Sequence, residues 1–280
     1  LHEAEAVIHL AGCPGVRDVA PDVELRRHRD NVAATAMVLD ATQAETPVTI
    51  MSSSSVYGGA RSLLGPSPQA LATPLLRPSH ESDPLVPRGG YAASKVAAER
   101  VCREHAYAGR PVLVVRPFTV LGEGQRSDMA LAGWASQATQ SGSVTVIGSA
   151  ERTRDFTDIQ MVARSILALV FAGATGTVNL GTGVGHSLAE LAAAVGAAVG
   201  VPHPRLLPVE ASLPEVSHTL ADTRRLQSLI GPVPATDLYD VARRAVLSIS
   251  RSLSAPGDPQ EARRTRPRDS GVSPIESLHR

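Results

Sequence analysis

The sequence predicts an α/β fold built on a parallel sheet, and three observations carry the prediction. Short apolar runs alternate with longer runs of helical period, the pattern of strand–helix units. The apolar runs are nearly continuous, as in strands covered on both faces. The runs rich in serine, glycine or proline follow directly on the strands, at their carboxyl ends, where open α/β sheets hold ligands.

In chain order, Ala6-Val-Ile-His-Leu-Ala11 is a short apolar run ending at Gly12, the mark of a strand buried on both faces. Gly12-Cys-Pro-Gly15-Val-Arg-Asp18 imitates a phosphate-binding turn only superficially, since Asp18 takes the place of a glycine and Pro14 removes a backbone donor. Residues 31–44 are predicted helical, with Val32, Ala36 and Leu39 on one face. Residues 47–51 form the next strand, delivering Ser52-Ser-Ser-Ser55-Val-Tyr-Gly58 to its carboxyl end. Residues 60–87, rich in Pro, Ser, Leu and Gly, read as a long loop. A helix then runs from Tyr91 to about Ala108, followed by a strand over 111–116 and by Pro117-Phe-Thr-Val-Leu-Gly122. Residues 129–141 are predicted helical and 144–147 a short strand. Arg154-Asp-Phe-Thr157 precedes a helix over 159–172; a strand over 178–180 and a helix over 187–199 come next. Helices over 222–230 and 237–250 close the ordered part, and from about Arg251 an aperiodic Arg, Pro, Ser and Gly composition predicts a disordered tail.

The 280 residues, 43% of them hydrophobic but only 3% aromatic, allow an aliphatic core of one large domain with or without a smaller one. A formal charge of zero and the lack of a basic stripe before the tail argue against nucleic acid as a partner. Two cysteines, Cys13 and Cys102, point to a reducing, cytoplasmic setting without a disulfide framework. The longest apolar runs are broken by Arg164 and Glu190, so no membrane span is expected, and no signal peptide is recognised. No set of His, Cys or carboxylates has metal-site spacing, and the serine run lacks the glycine-flanked elbow of a Ser-His-Asp hydrolase.

The organising stretch is Tyr91-Ala-Ala-Ser-Lys95, with a phenol and an amine on one helix face. A phenol ionises near pH 10 and is a poor base at neutrality. A fixed ammonium beside it, together with a bound cationic cofactor, favours the phenolate; moving the pKa to about 7 takes roughly 4 kcal/mol.

Several runs together resemble one family, the extended short-chain dehydrogenase/reductases, specifically the NAD-dependent nucleotide-sugar epimerases and dehydratases. They are Val7-Ile-His-Leu-Ala-Gly12 with Pro14 to Arg17, Asn31-Val32 with Thr35, Ser52 to Gly58 and Tyr91 to Lys95. Further along come Arg116-Pro-Phe-Thr-Val-Leu-Gly122 with Gln125 to Ala130, Arg154-Asp-Phe-Thr157 and Asn179-Leu-Gly-Thr-Gly183. The resemblance covers about residues 6–250. It implies a Rossmann-like sheet formed by residues 1–120 and 150–180, lacking its N-terminal strands, and a smaller C-terminal α/β substrate subdomain from 121–149 and 181–250. It implies Tyr91 as general base and acid on a sugar hydroxyl, Lys95 on the nicotinamide ribose, and Ser53 hydrogen-bonded to the same hydroxyl. His9, Leu10, Ala11, Gly12, Asn31, Ser52, Pro117 and Phe118 are then expected beside NAD. Ser53, Ser54, Tyr91, Thr119, Arg154 and Asn179 are expected to hold a UDP- or dTDP-sugar. In the dehydratase branch the two positions after the catalytic hydroxyl are Asp and Glu; Ser54 and Ser55 stand there in this chain. Serine cannot do carboxylate work near neutral pH, so 4-epimerisation leads over 4,6-dehydration. Pairing through two helices per subunit is common in the family, which implies a homodimer through the Tyr91 and Asn31 helices.

Where the family opens with strand, glycine-rich turn and helix, no such unit is found in these 280 residues. The sheet is therefore expected to expose a hydrophobic edge, and the chain as written to bind NAD weakly or not at all. Gly181-Thr-Gly-Val-Gly185 lacks the acidic residue some 20 positions on and is expected to be a structural turn. Read without the resemblance, Asn31 is a helix N-cap, Arg154 a helix-flanking salt-bridge residue, Arg116 a partner of a surface carboxylate and His9 a hydrogen-bonded core residue. Three functions stay open: a nucleotide-sugar 4-epimerase, a dehydratase or reductase of the same family, and a non-catalytic relative that binds sugar nucleotides or scaffolds a partner.

Overall fold

The computed structural model describes residues 3–62, 76–126, 128–210 and 216–254. The chain opens with β1 (Val7–His9), α1 (Val23–Arg27), a π turn (His28–Ala33), α2 (Ala34–Asp40) and β2 (Val48–Met51). A 3-10 turn (Ser54–Tyr57), β3 (Arg61–Ser62), β4 (Leu76–Arg77), α3 (Gly90–Tyr107), β5 (Val112–Pro117) and β6 (Thr119–Leu121) follow. Then come α4 (Ala130–Ser141), β7 (Ser143–Ile147), β8 (Thr153–Asp158), α5 (Ile159–Phe171) and β9 (Gly176–Leu180). The last elements are β10 (Gly185–Ser187), α6 (Leu188–Ala198), β11 (Arg205–Val209), α7 (Arg224–Ile230) and α8 (Leu238–Ser254).

The expected parallel sheet is present. Its order is β1-β2-β5-β9 and every neighbouring pair runs parallel. On one face Leu39 of α2 and Cys102 of α3 pack with Val48, Ile50, Val112 and Val114. On the other, Val162, Ile166 and Leu169 of α5 and Leu226 of α7 pack with Leu113, Val115, Val178 and Leu180. Val112 to Val115 thus send alternate side chains into two cores, which is why the run is apolar throughout.

A separate core joins α4, α6 and α8 to β7, with Leu131, Trp134, Val144, Leu191, Val195 and Val241 all buried. Trp134 satisfies its indole N–H on the Thr145 carbonyl at 2.7 Å, and β7 pairs in parallel with β11. Next to this core lies the small sheet β10-β8-β6, antiparallel in its first pair and parallel in its second.

Several expectations are corrected. β1 is not covered on both faces: it ends the four-stranded sheet, with Ile8 36% and Leu10 60% exposed. The helix expected from Asn31 starts at Val23 and reaches Asp40 through the π turn, so Asn31 lies inside it and caps nothing. Arg154 to Thr157 belongs to a strand, β8, and β6, β10 and β11 are strands the apolar pattern did not announce. Two- to three-residue strands and the exposed β11, with Leu207 37% and Val209 43% exposed, carry too little periodicity to show. The loop expected over 60–87 contains the pair β3–β4, and its residues 63–75 lie outside the described residues. α8 continues to Ser254, past Arg251 where the tail was expected to start; residues 255–280 lie outside the described residues. No helix among the described residues is long and apolar enough to cross a membrane.

Candidate active site

The carboxyl ends of β1 and β2 and the first turns of α3 meet at one place. Successive turns of α3 fasten onto successive residues at the end of β2. Tyr91 is half-buried, and its hydroxyl faces the Ser53 hydroxyl. Lys95, 8% exposed, donates from Nζ to the Met51 carbonyl at 2.9 Å. Glu99, 4% exposed, accepts from the Ser52 hydroxyl at 2.5 Å. Ser53 also caps the 3-10 turn by accepting from the Ser55 N–H at 3.2 Å, and Gly58 closes that turn with φ +73°.

Asn31 fixes the end of β1. Its Oδ1 accepts from the Cys13 N–H at 2.8 Å, and its Nδ2 donates to the Cys13 carbonyl at 3.0 Å and to the Ser94 hydroxyl at 2.9 Å. The π turn widens the helix at this point, a distortion frequent at functional sites. Gly12 lies against the same group: a Cβ there would stand 2.6 Å from Asn31 Oδ1 and 3.5 Å from Lys95 Nζ. Leu10, Ala11 and Gly12 are exposed. The expectation of a hydrogen-bonded core histidine at His9 is not met, since Nε2 is buried without a hydrogen-bond partner. Burial, and then the nearby Lys95 charge, lowers the His9 pKa.

The electrostatics correct one expectation. Burial raises the Tyr91 pKa above its ordinary value, against the opposing pull of the Ser53 hydroxyl, Arg126 and Arg27. Lys95 is not among the largest of these influences: its ammonium is turned to the Met51 carbonyl, and burial lowers its own pKa. The cations that bear most on the phenol are Arg126, from the loop after β6, and the buried Arg27 of α1.

Behind this front is a buried polar chain. Glu99 holds Arg116 with two hydrogen bonds, 2.9 and 2.6 Å long, and both side chains are about 5% exposed or less. Arg116 donates to the Tyr57 hydroxyl at 2.7 Å, and Tyr57 donates to Asn179 Oδ1 at 2.7 Å. Arg116 thus pairs with an interior carboxylate, not a surface one. Asn179 is fully buried, and its Nδ2 donates to the Ser79 and Asp222 carbonyls. Its amide is spent inside the protein, against the expectation of a sugar contact. Ser52 likewise points to Glu99 instead of a cofactor. Phe118, expected beside a nicotinamide, is 4% exposed and packs with Val56, Val96 and the Tyr57 ring 6.4 Å away. Pro117, Thr119 and Ser54 are half-buried near the strand ends. Arg154 is held by the carbonyls of Thr153, Val216 and Ser217.

Burial pushes the Tyr57 hydroxyl up to about 12. Between pH 10 and about 12 the unfolded chain releases this proton and the folded one keeps it, so stability falls as pH rises through that window. The expected loss is about 2–3 kcal/mol, absent in Tyr57→Phe and measurable by denaturant unfolding across that range.

Gly181 to Gly185 is a structural turn, as expected. The fully buried Asp155 accepts from the Thr182 N–H and hydroxyl and from the N–H groups of Gly183 and Ala221, all within 2.8–3.0 Å. Those donors are consumed by a carboxylate of the chain itself, so they cannot cradle a phosphate. Asp155→Asn leaves at least two of them facing an amide N–H₂, and a loss of about 3 kcal/mol follows from roughly 1–3 kcal/mol per unsatisfied buried donor; thermal unfolding measures it.

Sequence reasoning missed Glu99, Arg27, Arg126 and Asp155. Glu99 alone carried a usable signal, standing four residues after Lys95 and eight after Tyr91 on one helical stripe.

A parallel sheet with a Tyr–Ser pair and a buried lysine at its carboxyl edge defines a short-chain-dehydrogenase type of site. The profile of the NAD dependent epimerase/dehydratase family matches residues 1–181, and the chain belongs to that family. It is 32% identical over 197 residues to the GDP-6-deoxy-D-mannose reductase of Pseudomonas aeruginosa, covering 67% of this chain and 60% of the reductase. It is 28% identical over 250 residues to YtcB of Bacillus subtilis, described as an uncharacterized UDP-glucose epimerase, covering 86% of this chain and 72% of that protein. Among solved structures, MoeE5 in complex with UDP-glucose and NAD is 32% identical, with a TM-score of 0.74 over 90% of this chain and 81% of MoeE5.

Proposed function

We propose that the chain is the catalytic part of an NAD-dependent nucleotide-sugar 4-epimerase. The observation that carries this reading is the placing of Tyr91 against Ser53, beside a row of hydroxyls, Ser53 to Ser55, that contains no carboxylate. Tyr91 takes the proton of the sugar C4 hydroxyl and returns it, with Ser53 orienting that hydroxyl. Ser54 and Ser55 offer no acid or base for removing water from the ring, so the C4 ketone has no exit except reduction. NAD, when bound, supplies the acceptor and donor of the C4 hydride and a positive ring that favours the phenolate.

The residues present fit the nicotinamide end of this cofactor. Lys95 uses one of three ammonium donors on Met51, Gly12 leaves the space a Cβ would fill, and His9 Nε2 has no hydrogen-bond partner. Among the described residues no glycine-rich turn cradles a pyrophosphate, and the Cys13 N–H is spent on Asn31. Residues 1–280 are therefore expected to bind NAD more weakly than micromolar, which titration calorimetry tests. The structure built around α4, α6 and α8 is the part assigned to the sugar nucleotide, a UDP- or dTDP-sugar. Leu25, Met37 and Tyr107, 69–84% exposed on α1, α2 and α3, support a homodimer through these helices. The two buried, unpaired cysteines suit a reducing cytoplasm.

The relation to a reductase favours a second reading, reduction of a 4-keto sugar nucleotide. Incubation with millimolar NAD and UDP-glucose, UDP-glucuronic acid or dTDP-glucose separates the two. The C4 epimer is expected; turnover of a 4-keto sugar with NAD(P)H and no epimer from any of the three substrates would give the reductase instead.

A further inference from the structure

We propose that Ser52 and Glu99 form a positioning pair that sets the Ser53 hydroxyl against Tyr91 from behind. The inference rests on the role given to Tyr91 above, and it adds a third rung to that site. Tyr91, Lys95 and Glu99 lie at i, i+4 and i+8 of α3, one stripe along its length. Lys95 fastens the Met51 carbonyl and Glu99 the Ser52 hydroxyl, two residues of one tripeptide at the end of β2, and Tyr91 faces the third, Ser53. Ser52 precedes Ser53 directly, so the rotation of the Ser52–Ser53 peptide, and with it the aim of the Ser53 hydroxyl, is fixed by where Glu99 holds Ser52.

Glu99 is itself immobile. Arg116 grips both of its oxygens, and Arg116 is held in turn by Tyr57 and the Glu81 carbonyl. The Ser52 N–H is also anchored, on the Val115 carbonyl at 2.8 Å. The tripeptide is thus tied on two sides, to the neighbouring strand by the Ser52 N–H and to α3 by the Met51 carbonyl and the Ser52 hydroxyl. Ser53 is tied only locally, its hydroxyl accepting from the Ser55 N–H and its carbonyl from the Val56 N–H. A catalytic hydroxyl on a short turn needs such support to hold a fraction of an ångström.

Ser52→Ala separates positioning from stability, because it leaves the Glu99–Arg116 pair intact. With millimolar NAD and the substrate found above, turnover is expected to fall about tenfold, with KM within about twofold, as for a small misplacement of reacting groups. The second readout needs no activity. The Tyr91 ionisation, taken as the difference in tyrosinate absorbance between the Tyr91-containing protein and its Tyr91→Phe counterpart, is expected to move to higher pH in Ser52→Ala. The other groups bearing on the phenol, Arg126, Arg27 and Cys13, are unchanged in that comparison. Ser52→Thr, which keeps the hydroxyl, should restore both readouts. An unmoved Tyr91 titration in Ser52→Ala overturns the positioning role, whatever happens to turnover. A moved titration in a protein that epimerises no sugar nucleotide leaves the pair standing and removes only the epimerase reading.

Discussion

Tyr91→Phe is expected to lower epimerisation about 100- to 10,000-fold, the usual worth of a positioned general acid–base group. The fold should survive, because Ser53 keeps its hydrogen bond to the Ser55 N–H and the aromatic ring keeps its packing. Unchanged circular dichroism and melting temperature beside lost turnover give the expected pattern. Turnover within a few-fold of the parent protein removes Tyr91 from the chemistry. The raised pKa of Tyr91 in the ligand-free protein sharpens the expectation. At neutral pH the phenol is protonated before ligands arrive, so the pH dependence of kcat/KM should rise toward the alkaline side.

Arg116→Met should be the most damaging single change away from the reacting groups. It strands Glu99 in an interior where both partners are about 5% exposed or less, and it removes the donor to Tyr57. Breaking one half of a buried ion pair costs about 3–5 kcal/mol, read by urea unfolding. The double variant Glu99→Met with Arg116→Met should recover a large part of that loss, since no bare charge is left behind. Additive losses instead would show that the two residues stabilise the fold independently.

The sheet and the Tyr91 helix were legible because both depend on periodicity. Continuous apolar runs such as Val112 to Val115 and the apolar stripe of 159–172 report their own burial. The roles proposed for Tyr91, Lys95 and Ser53 rest on a constellation, runs far apart in the chain that the fold brings to one edge. What stayed hidden depends on direction. Asn179 and Phe118 fall in the expected runs, yet one saturates its amide on Tyr57, Ser79 and Asp222 and the other packs under Val56. Nothing in the order of residues tells whether a polar group at a strand end faces a cleft or a neighbour's hydroxyl. Lys95 shows the same limit: its spacing from Tyr91 was read correctly, but its ammonium turns to a carbonyl, and burial dominates the phenol's pKa.

The widened turn at His28–Ala33 lies between two ends of one rod. Upstream of it, Glu24 lies where a Cβ on Gly90 would sit, and Arg27 holds the carbonyls of Gly15 and Asp18. Within it, Asn31 holds Cys13. The turn holds one residue more than an α turn, so deleting one residue there restores an ordinary helix with its two ends still in phase. What the extra residue changes is the aim of the side chains within the turn, and it is from there that Asn31 reaches Cys13.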